Sequence, residues 1–152
     1  MPEETASEMT YSLVYRHSLD DKRRLPVPYR WRPVEPIEFA LVVWPKHVAG
    51  TCLRVFPPGP WAKFRAEIEA MADTTKKPAL KRMIGTNSTT MKLDAAGRLT
   101  IPEEMAVQAD IKDQAVLVGL IDRFEIWSPA RHAEAFGVDS TIWKEALETM
   151  GE

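Results

Sequence analysis

A lone cysteine, Cys52, rules out any disulfide within the chain, and a single thiol among strand-forming residues is most simply a buried one. Long apolar runs are also missing: the longest, "FALVVW" at positions 39–44, has the length of a core strand and falls far short of the ~18 residues of a membrane span. The first ten residues, "MPEETASEMT", have neither the basic start nor the apolar stretch of a secretion signal, so the cytoplasm is the expected compartment. Histidine is scarce and scattered at His17, His47 and His132. No nucleophile with a paired base, Gly-rich phosphate loop or metal-spaced His or Cys group is present, so no enzyme activity, cofactor, metal or small-molecule substrate is expected.

What is present is enough apolar material for a core. The 152 residues are 45% hydrophobic with five Trp, which fits one average domain or two very small ones. The net charge of −2 hides a strong pattern. Residues 16–32 hold Arg16, Lys22, Arg23, Arg24, Arg30 and Arg32 against Asp20 and Asp21, and residues 76–92 hold Lys76, Lys77, Lys81, Arg82 and Lys92 with no acid. The carboxylates gather at the other end, with Glu134, Asp139, Glu145, Glu148 and Glu152 after residue 132. Solvated helix faces would explain such runs, but both basic stretches overlap or adjoin a repeated motif.

That motif is "LDDKRRLPVP" at residues 19–28 and "LDAAGRLTIP" at residues 93–102, which share Leu, Asp, Arg, Leu and Pro in the same places. The element order repeats with it, as a real duplication requires. In the second copy "MKLDAAGRLTIP" reads as strand, turn, strand. Pro102 with Glu103 and Glu104 starts a short helix ending near Ala109. "QAVLVGLI" and "FEIW" form a hairpin around Asp122-Arg123, and Ser128-Pro129 caps the helix "ARHAEAF". In the first copy Pro33 and Pro36 in "YRWRPVEP" forbid the corresponding helix, leaving an irregular basic and aromatic loop. The hairpin then returns in "FALVVWPKHVAGTCLRVF", where "RVFPPGPW" parallels "EIWSPARH". Trp61, Phe64, Ile68 and Met71 lie on one face of the next helix, a face for core or subunit contact, and "PALKRMIG" reads as a linking helix stopped by Gly85.

The stretches "YRHSLDDKRRLPVP" and "LDAAGRLTIP…VLVGLIDRFEIWSPARH" together resemble the MraZ family, which is built from two SpoVT/AbrB-type half-domains. The likeness spans residues 11–136. It implies an α+β fold: tandem swapped-hairpin AbrB-like β-barrel halves with pseudo-twofold symmetry and flanking short helices. The halves are placed at 11–72 and 89–136, joined by a linking helix at 73–88 and followed by a C-terminal helix at 137–152. The resemblance further implies subunits assembled into a homo-oligomeric ring. It implies a cytoplasmic, nucleoid-associated transcriptional regulator that binds direct repeats in double-stranded DNA ahead of the division and cell-wall gene cluster. The first half departs from the family pattern: Arg23 stands where a Gly is usual, while the second keeps Gly97.

Physically, Asp and Arg four apart around a turn can pair, with the Asp also accepting backbone N–H groups. Asp20, Asp94 and Gly97 are therefore read as the residues that shape the loops. On one reading the Asp–Arg pairs are structural only. On the other, Arg24 and Arg98, with Lys22, Arg23, Arg16 and Lys92, meet DNA: a guanidinium can fork onto a phosphate or onto guanine, while lysines mainly add sequence-independent attraction. Arg23 in the glycine position implies a different turn or about 1 kcal/mol of strain. Tyr29, Arg30, Trp31 and Arg32 either cover a core edge or add stacking and phosphate contacts, and His17 is expected to be structural. Two alternatives remain beside the regulator: an antitoxin-like partner-binding protein of the AbrB/MazE barrel type, and a diverged MraZ paralogue with altered DNA specificity.

Overall fold

The computed structural model describes residues 9–152, so the polar N-terminal stretch lies, except for its last two residues, outside the described residues. Eight strands run in chain order: β1 (Val14–Ser18), β2 (Arg24–Pro26), β3 (Phe39–Trp44), β4 (Cys52–Phe56), β5 (Ser88–Met91), β6 (Arg98–Thr100), β7 (Gln114–Gly119) and β8 (Phe124–Trp127). The helices are α1 (Pro58–Glu69), α2 (Lys76–Thr86), α3 (Glu103–Gln108) and α4 (Pro129–Thr149), with a 3-10 turn at Tyr29–Trp31.

Among the described residues six strands form one antiparallel sheet in the order β1-β7-β8-β4-β3-β5, and β2 and β6 pair only with each other. Exchanging each strand for its counterpart in the other half, β1 for β5, β3 for β7 and β4 for β8, reads the same order backwards. Each half's leading strand thus pairs with the other half's hairpin: β1 with β7 and β5 with β3. Among the described residues the strand pairs do not close into a barrel. The reason lies in the β2–β6 ribbon, whose strands are three residues long and are bounded by prolines: Pro26 and Pro28 offer no N–H to a third strand on one side, nor does Pro102 on the other. The ribbon is held to the sheet by side chains instead. Leu25 and Leu99, opposite one another and fully buried, enter a core with Leu41, Leu53, Leu117 and Ile126; burying each is worth about 2 kcal/mol.

The sheet therefore has two covered faces. Ribbon, α3 and the 3-10 turn cover one. On the other, α4 packs over Cys52, Val116 and Trp127, while Trp61 and Phe64 of α1 pack over Ala40, Val42 and Phe56. Burial on both sides explains why "FALVVW" is a continuous apolar run and not an alternating one.

Local expectations fare unevenly. β8 covers "FEIW", Ser128 caps α4 by accepting from the Arg131 backbone N–H, and Ala109 caps α3. Trp61, Phe64 and Ile68 share a packed face, but Met71 lies past the end of α1. α2 begins at Lys76 and runs through Gly85, so that glycine does not stop it; Asn87 caps the helix. α4 likewise runs unbroken through Gly137. An exposed helical glycine costs only about 1 kcal/mol against alanine, which flanking turns readily outweigh.

Candidate nucleic-acid interface

The ribbon is amphipathic in the simplest way. In register Arg24 faces Thr100, Leu25 faces Leu99 and Pro26 faces Arg98. Alternation puts the two leucines inward and sends Arg24, Pro26, Arg98 and Thr100 to the outer face, with the arginines on a diagonal.

Each arginine is braced by the aspartate that precedes it. Asp20 accepts from the backbone N–H of Lys22 and of Arg24, both at 2.9 Å, and from Arg24 Nε at 2.5 Å. Asp94 repeats this with the backbone N–H of Ala96 at 3.0 Å, that of Arg98 at 2.9 Å, and Arg98 Nε at 2.8 Å. Arg98 Nη1 also lies 3.7 Å from Asp20 Oδ2, so the two motifs touch. The Arg24 backbone N–H, followed by its side chain and the Lys22 N–H, lowers the Asp20 carboxyl to about 2. The same cause, led by the Arg98 N–H, lowers Asp94. Ion pairs this exposed add little stability. Their effect is orientation: holding Nε fixes each guanidinium on the outer side of the ribbon, and its Nη groups make no hydrogen bond among the described residues.

The two turns have the same shape although their sequences differ. Arg23 has φ 59° and Gly97 has φ 76°, and each donates its N–H to the carbonyl of the motif Asp. The expected choice between a different turn and a strained one thus resolves as strain. What makes Arg23 tolerable is its side chain: Nε donates to the Ile101 carbonyl at 2.9 Å. The counterpart of Ile101 is Val27, and its carbonyl receives Arg32 Nε, also at 2.9 Å. Arg32 lies so close over Gly97 that a Cβ there would overlap its Nε. One carbonyl is served by an arginine in the turn and the other by an arginine from the proline-rich loop, which needs the glycine beneath it.

A family model described as "MraZ protein, putative antitoxin-like" matches residues 84–140. A protein named transcriptional regulator MraZ from Roseiflexus castenholzii is 35% identical over 139 residues, covering 90% of this chain and 85% of that one. The chain belongs to the MraZ family. Similar relatives of that name come from Moorella thermoacetica, 31% identical with 90% and 93% covered, and from Shewanella woodyi, 29% identical with 89% and 83% covered. The MraZ relatives are named as regulators and not as enzymes.

The other expected residues lie at varying distances from this family motif. Lys22 is exposed in the first turn, and Lys92 is exposed just before the second. Arg16 is exposed on β1, where it acts on His132 of α4, on the helix-covered side of the sheet and away from the ribbon; the structure does not bring it to Arg24. His17 alternates to the ribbon side and lines a hollow with Tyr15, Pro26 and Tyr29. Trp31 is core, 1% exposed, with its ring 4.9 Å from that of Phe124 and its Nε1 donating to the Ser12 carbonyl. Tyr29 is 84% exposed. Sequence reasoning missed the cross-half bond of Arg23 to Ile101, and the place of Arg32, which bonds Val27 of its own half and lies over Gly97 of the other. The only hint was that an arginine stands in the glycine position of the half whose following segment contains Arg32.

Proposed function

We propose that this chain is a sequence-specific double-stranded DNA-binding transcriptional regulator. One observation carries the reading: a two-stranded ribbon holds Arg24 and Arg98 on its outer face, each gripped at Nε by its own aspartate and with no hydrogen bond to its Nη nitrogens among the described residues. A major groove admits a two-stranded ribbon, and a pre-turned guanidinium forks onto guanine O6 and N7 or onto phosphate. Lys22 and Lys92 flank this face and add attraction to the backbone.

A three-residue ribbon makes few contacts, so one subunit binds weakly. A homo-oligomeric ring presenting several ribbons to direct repeats, at about ten base-pair spacing, gains effective concentration without new contacts. The relatives' name as transcriptional regulators supports a regulator; its place on cytoplasmic DNA ahead of the division and cell-wall genes is part of the proposal. The exchange of leading strands between halves supports two AbrB-like swapped-hairpin units, at 11–72 and 89–136, linked by 73–88 and extended by 137–152. Among the described residues no helix is long and apolar enough to cross a membrane.

The test is a mobility shift on the duplex upstream of the protein's own gene. Repeat-dependent binding that is lost in Arg24→Ala with Arg98→Ala supports the proposal, and absence of any repeat-dependent shift ends it. The antitoxin-like reading draws on the wording of the family model and on exposed Ile142 and Trp143 along α4, with Met150 at its C-cap; co-purification with a small ribonuclease would favour it.

A further inference from the structure

The two ends of the ribbon are built alike but flanked differently. Because Val27 N–H donates to the Gly97 carbonyl and Ile101 N–H to the Arg23 carbonyl, the segment leaving β2 runs beside the 94–97 turn, and the segment leaving β6 beside the 20–23 turn. Beyond β2 the chain continues into Pro28-Tyr29-Arg30. Beyond β6 it continues into Pro102-Glu103-Glu104, with both glutamates exposed. At matching places one flank is cationic and aromatic while the other is anionic.

The cationic flank is rigidly mounted. The 3-10 turn closes with Trp31 N–H to the Pro28 carbonyl at 2.9 Å and Arg32 N–H to the Tyr29 carbonyl at 3.1 Å. Trp31 anchors it, its ring 5.3 Å from Tyr15 and 5.9 Å from Tyr11. Tyr29, with the Arg32 guanidinium 5.8 Å from its ring centroid, is left projecting. Arg30 is exposed and makes no hydrogen bond or ion pair among the described residues. Glu35 and Glu38 come later in the same loop, past Pro33. An ordered turn bearing a phenol and an unpaired guanidinium beside a DNA-facing ribbon loses little freedom on binding an anion.

Resting on the DNA-binding reading above, we propose that Tyr29 and Arg30 form a one-sided clamp on the DNA phosphate backbone. Glu103 and Glu104 repel the backbone on the opposite flank, so each subunit sits on the duplex in a single orientation. Direct repeats suit such a subunit, because they present every ribbon with the same polarity.

The test uses the full chain on the duplex from upstream of its own gene, with a scrambled duplex beside it. Tyr29→Ala with Arg30→Ala should weaken binding to both by about fivefold or more and lower the salt-dependence slope by about one per bound subunit, as loss of a phosphate contact does. Both side chains are exposed, so thermal unfolding should not move. For the wild type, phosphate-ethylation interference should be stronger on one flank of each repeat than on the other, and this excess should disappear in the double variant. Glu103→Gln with Glu104→Gln should bind as well as the wild type or better. Interference symmetric about each repeat overturns the clamp. So does wild-type affinity in Tyr29→Ala with Arg30→Ala, while Arg24→Ala with Arg98→Ala has lost binding; that pattern leaves the ribbon reading standing. A wild type that binds neither duplex overturns both.

Discussion

Arg54 on β4 pairs with Glu125 on β8 across the centre of the sheet, its Nη2 2.7 Å and its Nε 2.9 Å from the same Glu125 oxygen. The two residues are counterparts in the two halves and face each other in register, flanked by the pairs Leu53–Ile126 and Val55–Phe124. At the point where an exchange of halves maps the sheet onto itself, the chain has opposite charges. Arg54 stacks 4.2 Å from the Trp44 ring, and Glu125 accepts from Trp127 Nε1 at 3.0 Å. A like pair of residues here would place two equal charges in contact, so this position favours the union of unlike halves in one chain.

Breaking that pair should be expensive. Glu125→Ala leaves a guanidinium over the sheet with no anion, and a loss of about 2–3 kcal/mol is expected, below the range for fully buried pairs because Arg54 keeps some solvent contact. Arg54→Leu with Glu125→Leu should lose less than the two single changes added together. Chemical denaturation of Glu125→Ala, Arg54→Leu, Glu125→Leu and the double leucine variant checks it, and additive losses in the leucine series would mean that the pair does not act as a pair.

The two turn residues should respond oppositely to substitution. Arg23→Gly relieves a positive φ but frees the Ile101 carbonyl, two effects of about 1 kcal/mol each and opposite sign, so stability should barely change. Arg23→Ala keeps the strain and loses the bond, and should cost about 1–2 kcal/mol. Gly97→Ala places a Cβ against Arg32 and should cost more than either. Thermal unfolding ranks the three; a destabilised Arg23→Gly would show that the carbonyl bond outweighs the strain.

Acid should loosen the loops through Asp20 and Asp94. Both carboxyls are lowered in the folded chain, Asp20 to about 2 from an ordinary 3.8. Their contribution is therefore complete above the unfolded value, near pH 4, and is lost as pH falls through the folded value. Asp20→Asn with Asp94→Asn should be less stable than the wild type at pH 7, with the gap narrowing between about pH 4 and pH 2. A gap that stays constant over this interval contradicts the assignment.

A substitution distant from the ribbon tests how the sheet edge is closed. Gly119 passes under the backbone of the N-terminal segment, where a Cβ would lie 2.5 Å from the Tyr11 carbonyl oxygen. Its N–H donates to the Leu13 carbonyl and Ile121 exchanges bonds with Tyr11. Gly119→Ala should displace this strap and cost about 1–3 kcal/mol, read by thermal unfolding; the strap also carries Ser12, whose carbonyl accepts from Trp31 Nε1.

Much of this structure could be read from the chain because its signals are local. "FEIW", Ser128-Pro129 and the Asp-x-x-x-Arg turns each carry their geometry within a few residues. The prolines of "YRWRPVEP" announce that no α-helix forms there. What could not be read depends on partners distant in sequence. β1 pairs with β7 and not with its own hairpin, a choice made by the register of two-sided apolar strands. Gly97 looks like a turn requirement alone, yet it also makes room for Arg32. Arg23 looks like an added DNA contact, and its Nε is spent on Ile101. Six cations near the motifs gave no means of separating Arg16, which the pleat turns to the far side of the sheet.

Recognition of DNA by Arg24 and Arg98 is tested by quantitative binding of the wild type, Arg24→Ala, Arg98→Ala and the double variant to the upstream duplex with its repeats intact and scrambled. The wild type should bind in a repeat-dependent way, each single variant should lose part of this binding because every ribbon keeps its other arginine, and the double variant should lose it entirely with unfolding unchanged. Equal affinity of the wild type for intact and scrambled repeats, or an unaltered preference in the double variant, would contradict it.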